Sequence, residues 1–152
     1  SHGWAQGEIL HLTLTGSVGN GKSHLARAAM GEMLKKGLAA RFHNVPDMID
    51  RLRAAQRDDS YEALMTEYAW HDPLVMDDMG EQRPTPNSEF GIEVIERIVD
   101  MRLNNECPTM FTTNYTQHLL AARTSLRLAS RVNSRADGVK VVLINAPDHR
   151  TE

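Results

Sequence analysis

The chain has 152 residues, of which 41% are apolar and 24% are charged, enough for one self-sufficient domain spanning residues 1–152. No apolar run is long enough to cross a membrane, and a formal net charge of −3 gives no overall basic field for nucleic acid. The single cysteine, Cys107, excludes an internal disulfide framework and fits a reducing compartment, so we expect the protein in the cytoplasm.

Five short strand-like runs alternate with helical ones along the chain, which is typical of a mainly parallel α/β sheet. The predicted strands cover residues 9–15, 40–44, 73–77, 109–113 and 139–145. The predicted helices cover residues 24–36, 46–56, 61–68 and 88–104. Ser88 is a candidate N-cap of the fourth helix. The predicted core stripe of that helix is Ile92, Ile95, Ile98, Val99 and Leu103.

Residues 16–23 fit the phosphate-binding P-loop pattern G-x-x-x-x-G-K-[ST] at every fixed position. The loop joins a predicted strand to a helix N-terminus, as phosphate binding requires. In such a loop the backbone N–H groups point at the phosphates, Lys22 reaches the β and γ oxygens, and the Ser23 hydroxyl coordinates Mg²⁺. We therefore predict a site for ATP or ADP with Mg²⁺. The predicted nucleotide-binding residues are Gly16, Ser17, Val18, Gly19, Asn20, Gly21, Lys22, Ser23 and His24.

Two neighbouring carboxylates, Asp77 and Asp78, end the third predicted strand. Open α/β sheets bind their ligands at the carboxyl ends of the strands, where a P-loop enzyme needs an acid for its Mg²⁺. We predict that Asp77 holds Mg²⁺ together with Ser23, and that Asp78 orients or deprotonates the attacking water. A strand that simply ends in polar residues is the alternative, but the preceding P-loop favours the functional interpretation.

A polar amide, Asn114, follows the fourth predicted strand directly after Thr112 and Thr113. An amide carries both a donor and an acceptor, so it can hold a water against the γ-phosphate. A strand-terminal Asn is by itself more often a turn residue. The catalytic interpretation of Asn114 therefore depends on the P-loop and the acidic pair.

The motifs together resemble AAA+ ATPases, and within these the bacterial helicase-loader group (DnaC and DnaI) and the related transposition helper IstB. The resemblance covers about residues 8–150. The matching segments, in the family's order, are the P-loop, Asp-Asp-Met-Gly at 77–80, Thr-Thr-Asn at 112–114, Ser-Arg at 130–131 and Asp-His-Arg at 148–150.

The resemblance implies a three-layer αβα P-loop AAA+ fold with a five-stranded parallel sheet of order 5-1-4-3-2. In that order Asn114 lies between Lys22 and Asp77. Arg131 matches the arginine finger, which acts on ATP held by a neighbouring subunit. Arg150 matches the second sensor, which closes over the nucleotide of its own subunit. The implied partners are a replicative helicase and single-stranded DNA, with nucleotide-dependent self-association and no membrane.

Four arginines, Arg123, Arg127, Arg131 and Arg135, recur every four residues and share one helix face if the segment is one continuous helix. From Leu119 onward six basic residues stand against three acidic ones, a local net charge of +3. A solvated helix face is the simple interpretation for most of these arginines. An anionic partner, ATP across a subunit interface before nucleic acid, is expected to meet the chain here.

Some features depart from the family pattern. Asp78 stands where typical AAA+ members carry Glu, and this shorter acid predicts slow ATP hydrolysis that assembly or DNA stimulates. The few residues after Arg150 leave no room for a helical lid, so we expect the lid to be absent or minimal. We also expect Ser1 and His2 to be a tag remnant and an N-terminal partner-binding domain to be missing.

The sequence thus predicts the ATP-binding and ATP-hydrolysing AAA+ domain of a DNA-replication helicase loader, acting as a nucleotide-dependent switch. A transposition-helper ATPase is an alternative from the same group. A small P-loop kinase is a second alternative, although it leaves the acidic pair and the Thr-Thr-Asn sequence unexplained. A module that binds nucleotide without turnover is a third.

Overall fold

The computed structural model describes residues 2–17, 19, 21–82, 85 and 88–144. Its strands are β1 His11–Thr15, β2 Arg41–Asn44, β3 Leu74–Asp77, β4 Thr109–Thr113 and β5 Val139–Leu143. They form one parallel sheet in the order β2-β3-β4-β1-β5, which confirms the expected order 5-1-4-3-2. The carboxyl ends of β1, β3 and β4 therefore lie next to one another.

Helices cover both faces of the sheet and complete a three-layer αβα fold. They are α1 His2–Ala5, α2 Lys22–Lys35, α3 Val45–Ala55, α4 Tyr61–Ala69, α5 Ser88–Asn104, α6 Gln117–Arg123 and α7 Leu126–Val132, with a 3-10 turn at Arg135–Asp137. In this described part of the chain, none of the helices has the length and apolar character needed to cross a membrane.

A hydrophobic core lies on each face of the sheet, because successive side chains of a strand point to opposite faces. Met110 of β4 packs with α1 and α2 on one face, and its neighbour Phe111 packs with α3, α4, α5 and α7 on the other. Trp4 of α1 is fully buried in the first core. The sequence patterns do not predict α1, yet these residues ahead of the first strand belong to the domain.

The four regularly spaced arginines do not share one helix face, because the segment that carries them is not one continuous helix. α6 ends at Arg123, and Arg135 lies in the 3-10 turn beyond α7. Between α6 and α7, the Ser125 hydroxyl accepts a hydrogen bond from the Leu128 N–H at 3.0 Å and caps α7. A serine that satisfies a free N–H of a new helix favours a break in the chain over continuation of the old helix.

The buried face of α5 is wider than the predicted stripe. Ile92 is only half-buried, whereas Val94 is 5% exposed and Gly91 is buried as well. A Cβ at Gly91 would lie 3.0 Å from Ile49 Cγ2 of α3. Because α5 packs against α3, α4 and α7, more than one row of its side chains turns inward.

A fully buried arginine, Arg102, links the amino ends of β3 and β4 to α4. Its guanidinium donates to Thr109 Oγ1 at 2.9 Å and to the carbonyls of Tyr68, Asp72 and Pro108 at 2.9, 2.7 and 3.0 Å. Burial lowers the pKa of Arg102 to about 10, so the group stays charged at neutral pH. The carbonyl dipoles therefore stabilise a buried cation.

Candidate functional site

The P-loop connects β1 to α2 at the carboxyl edge of the sheet. Gly21 lies at the N-cap of α2 with φ +86°, a left-handed conformation that glycine adopts without strain. Its carbonyl accepts the Leu25 N–H at 3.0 Å, which closes the first turn of the helix. The N–H groups of that first turn point towards the loop and favour an anion there. Val18 and Asn20, two of the predicted binding residues, lie outside the described residues.

Lys22 and His24, in the first turn of α2, have different environments. Lys22 is only 7% exposed, and its Nζ donates to the Ser17 carbonyl of the loop at 2.8 Å, whereas His24 is exposed. Burial lowers the pKa of Lys22, and the carboxylates of Asp78, Asp77 and Glu81 oppose this shift. The lysine ammonium thus lies on the loop, within the field of three acids.

Ser23 and Asp77, the two predicted magnesium ligands, contact each other. Ser23 Oγ donates to Asp77 Oδ1 at 2.8 Å, and Asp77, the last residue of β3, is 5% exposed. Hydroxyl and carboxylate oxygens are the ligands that Mg²⁺ uses beside substrate phosphates and water. These two residues therefore fit a magnesium ion bound next to the P-loop.

Thr112 of β4 belongs to the Thr-Thr-Asn segment that matches the family, but the sequence analysis predicts no site role for it. Its hydroxyl donates to Asp77 Oδ1 at 2.6 Å and accepts the Asp78 N–H at 3.0 Å, and the side chain is 1% exposed. Asp78 has φ +60°, an unusual conformation for a residue with a side chain. Thr112 thus holds both the carboxylate of one acid and the backbone of the next.

Asp78 is held by Asn44, the last residue of β2. Asn44 Nδ2 donates to Asp78 Oδ2 at 2.8 Å, and Asn44 Oδ1 accepts the Asp47 N–H at 3.3 Å and caps α3. Burial raises the pKa of Asp78, and so do the charges of Asp77 and Glu81, while the Asn44 bond and Lys22 lower it. A half-buried carboxylate with raised proton affinity is suited to accept a proton.

Asn114 lies at the same edge of the sheet, half-buried, directly after β4. The neighbouring residue Thr113 pairs with Thr15, the last residue of β1 before the P-loop. Asn114 Nδ2 donates to Oε1 of Glu81 at 3.1 Å. Glu81 was not predicted as a site residue, because its place four residues after Asp77 in a loop follows no periodic pattern.

Arg131 lies at the opposite, amino-terminal edge of the sheet. Its guanidinium lies 3.1 Å from Asp100 Oδ1 and 3.3 Å from Asp137 Oδ2, and it donates to Asn104 Oδ1 at 3.0 Å. Asn104 ends α5 just before β4 begins, whereas the P-loop follows the carboxyl end of β1, about 13 Å further along the strand direction. Arg131 therefore does not join the P-loop of its own chain. Arg150 lies outside the described residues.

Within the described residues, the positive charge counted along the C-terminal sequence is partly compensated in space. Arg127 forms ion pairs with Glu96 and Asp100 of α5, and Arg131 shares Asp100. Arg123 Nε donates to the Gly80 carbonyl at 2.7 Å. The sequence count missed these acids because they come from a helix some 30 residues earlier in the chain.

Comparison with known proteins connects this site to a family. The family of IstB-like ATP binding proteins matches residues 7–120. The chain is 32% identical over 110 residues to the replicative helicase loader DnaC of Escherichia coli K12, a match that covers 71% of this chain and 44% of DnaC. The chain thus spans less than half the length of this curated relative.

Solved structures agree on the fold. A crystal structure of the DnaC helicase loader superposes with a TM-score of 0.76 at 28% identity, covering 89% of this chain and 78% of that one. The replication initiator DnaA bound to AMPPCP and single-stranded DNA superposes with a TM-score of 0.80 at 22% identity, covering 96% and 44%. The chain therefore belongs to the family of IstB-like ATP-binding proteins and has the AAA+ fold.

Proposed function

We propose that this chain is the ATP-binding and ATP-hydrolysing AAA+ domain of a helicase-loader-like protein, acting as a nucleotide-dependent switch. The observation that carries this proposal is the 2.8 Å contact between Ser23 Oγ and Asp77 Oδ1 beside the P-loop. It joins the hydroxyl that ends the loop to an acid 54 residues later, the pairing that a bound Mg–nucleotide requires.

Each site residue has a role in this proposal. Lys22 and the P-loop N–H groups bind the phosphates, and Ser23 and Asp77 hold Mg²⁺, which when bound neutralises charge on the phosphates. Asn114 orients the attacking water, and Asp78 accepts its proton. The raised pKa of Asp78 and its hydrogen bond to Asn44 support this assignment.

We assign Arg131 to the ATP of a neighbouring subunit. Its position at the amino-terminal edge of the sheet, away from its own P-loop, supports a role in trans. Asp100 and Asp137 hold its guanidinium within the chain, so assembly has to draw it out of these ion pairs. Slow hydrolysis by single chains and faster hydrolysis on assembly follow from this requirement.

The test of the ATPase activity uses two variants with different expected defects. Lys22→Ala abolishes binding of a fluorescent ATP analogue, because the loop loses its cation. Arg131→Ala leaves binding intact and lowers hydrolysis at high protein concentration by about 10³-fold. Arg135→Ala, an exposed arginine nearby, is the matched control and keeps the wild-type rate. Equal hydrolysis rates for Arg131→Ala and wild type refute the assignment of Arg131. If the wild-type protein does not hydrolyse labelled ATP at any protein concentration, the proposed ATPase activity is refuted.

The proposed partner is a replicative helicase, with single-stranded DNA as a second ligand. The similarity to DnaC supports the helicase, and the DnaA complex with AMPPCP and single-stranded DNA shares the fold. A transposition-helper role is the second candidate, because the matched family is that of IstB-like proteins. A pull-down with the full-length protein in the presence of ATP or ADP distinguishes the two roles. Recovery of the host helicase supports the helicase-loader role, and recovery of a transposase supports the transposition-helper role. Recovery that does not differ between ATP and ADP refutes the switch.

A further inference from the structure

Glu81 places a third carboxylate at the phosphate edge of the sheet. It is half-buried in the loop after β3, and its Oε1 accepts the Asn114 Nδ2 hydrogen at 3.1 Å. Asn114 follows β4, whose last residue pairs with the last residue of β1 before the P-loop. Glu81 is therefore tied to a residue at the mouth of the P-loop and not merely to the loop that carries it.

The loop that carries Glu81 is fixed by its neighbours. The Met79 N–H donates to the Thr112 carbonyl at 2.8 Å, and Thr113 Oγ1 donates to the Met79 carbonyl at 2.8 Å. The Gly80 carbonyl accepts Arg123 Nε at 2.7 Å. Three hydrogen bonds from β4 and α6 thus hold the two residues before Glu81, so its carboxylate stays near the site.

The charge of Glu81 is felt by the other ionisable groups of the site. Glu81 lies close enough to Asp78 and Lys22 for its charge to act on both groups. Glu81 therefore belongs to the same electrostatic unit as the lysine that we assign to the phosphates and the acid that we assign to the water.

We propose that Glu81 and Asn114 together hold the attacking water, and that Glu81 shares with Asp78 the task of accepting its proton. This inference rests on the proposed ATPase function. Asn114 donates its amide hydrogen to Glu81, and the Tyr115 side chain forms a hydrogen bond with the same carboxylate. A carboxylate accepts more than two hydrogen bonds, so Asn114 Oδ1 and a remaining lone pair of Glu81 can accept the two water protons. The lone pair of the water is then free to point at the γ-phosphorus.

The reaction balances with these groups. The water oxygen forms a bond to the γ-phosphorus, and the bond from that phosphorus to the β–γ bridging oxygen breaks, its electron pair leaving with ADP. The proton of the water goes to the carboxylate of Glu81 or Asp78 and from there to the released phosphate or to solvent. Asn44 already occupies one oxygen of Asp78, which makes a second acceptor useful.

The test is single-turnover hydrolysis of labelled ATP by Glu81→Gln, with the affinity for a fluorescent ATP analogue measured in parallel. The variant keeps the size of the side chain and its bond to Asn114 but removes the charge. We expect a rate about 10- to 100-fold below wild type and a nucleotide Kd within about twofold of wild type. Glu81→Asp keeps a carboxylate and is expected to hydrolyse ATP faster than Glu81→Gln but more slowly than wild type. Glu93→Gln, on the exposed side of α5, is expected to keep the wild-type rate.

The double variant with Asp78→Asn tests whether the two acids act on one water. If they do, the rate of Asp78→Asn/Glu81→Gln is well above the product of the two single effects. A Glu81→Gln rate within about twofold of an active wild type overturns the role of Glu81 alone, and so does a loss of nucleotide affinity as large as the loss of rate. An inactive wild type overturns the proposed ATPase function and this inference with it.

Discussion

Replacing Thr112 by valine removes the hydroxyl that links the two acids of the site. The bond to Asp77 is 2.6 Å long and has a carboxylate as acceptor, a type that contributes about 1.5–3 kcal/mol. Loss of the acceptor for the partly buried Asp78 N–H costs about 1 kcal/mol more. Because valine has nearly the same volume, we expect a decrease of about 2.5–4 kcal/mol in the free energy of unfolding.

The same change is expected to affect magnesium binding. Without Thr112, the Asp77 carboxylate is free to rotate away from Ser23, so we expect about tenfold more Mg²⁺ for half-maximal ATP hydrolysis. Urea denaturation and a magnesium titration of the hydrolysis rate measure the two effects.

Two variants sharpen the test of Thr112. Thr112→Ser keeps the hydroxyl and retains the magnesium dependence. Thr113→Val is the matched control, because Thr113 Oγ1 donates to the neutral Met79 carbonyl at 2.8 Å, accepts the Tyr115 N–H at 3.3 Å, and has no hydrogen bond to Asp77 or Asp78. It is expected to lose about 1 kcal/mol of stability with an unchanged magnesium requirement. If Thr112→Val shows the same magnesium dependence as Thr113→Val, Thr112 does not position Asp77.

Three further predictions concern stability, each measured by urea denaturation. His11 is 1% exposed, and burial is the main cause that lowers its pKa from 6.5 to about 4. The free energy of unfolding therefore falls by up to about 3 kcal/mol as the pH drops from about 6.5 to about 4. His11→Gln is expected to flatten this pH dependence, and an unchanged slope contradicts the role of His11. Arg102→Met removes the donors to the carbonyls of Tyr68 and Asp72 and costs about 3 kcal/mol or more, whereas Arg97→Met, at a half-exposed position of the same helix, stays within about 0.5 kcal/mol; similar losses refute the bridging role. Gly80→Ala adds a Cβ at φ +95° that lies 2.8 Å from Leu120 Cδ1, whereas a Cβ at Gly37, with φ +82°, has no atom within 4 Å. We therefore expect Gly80→Ala to destabilise the protein more than Gly37→Ala. Equal losses would show that backbone strain alone accounts for the effect and that the contact with Leu120 adds nothing.

The elements of the fold could be predicted because their signals are local. Short strand-like runs predicted every strand to within two residues at either end, and the P-loop was found as an uninterrupted motif. The break between α6 and α7 was missed, since regular spacing of arginines says nothing about a capping serine between them. Short helices such as α1, with four residues, carry too little periodicity to be predicted.

Part of the site could be predicted for the same reason. Ser23 and Asp77 each belong to a recognisable motif, and the sheet order brought by the family resemblance places them together. Asn44 and Thr112 lie 34 and 35 residues from the acids that they contact, and they belong to no pattern that names them as ligands of a carboxylate. Their contacts depend on which strands are neighbours.

The sequence by itself determined that a nucleotide site exists and where its loop lies, because eight consecutive residues fix the backbone, cation and hydroxyl of a P-loop. Only the tertiary structure decided how the acids around it are held. Asp77, Asp78 and Glu81 gain their partners from β2, β4 and the residue after β4. The physical reason is that hydrogen bonds and pKa shifts depend on distance in space, which the order of residues along the chain does not contain until the sheet has formed.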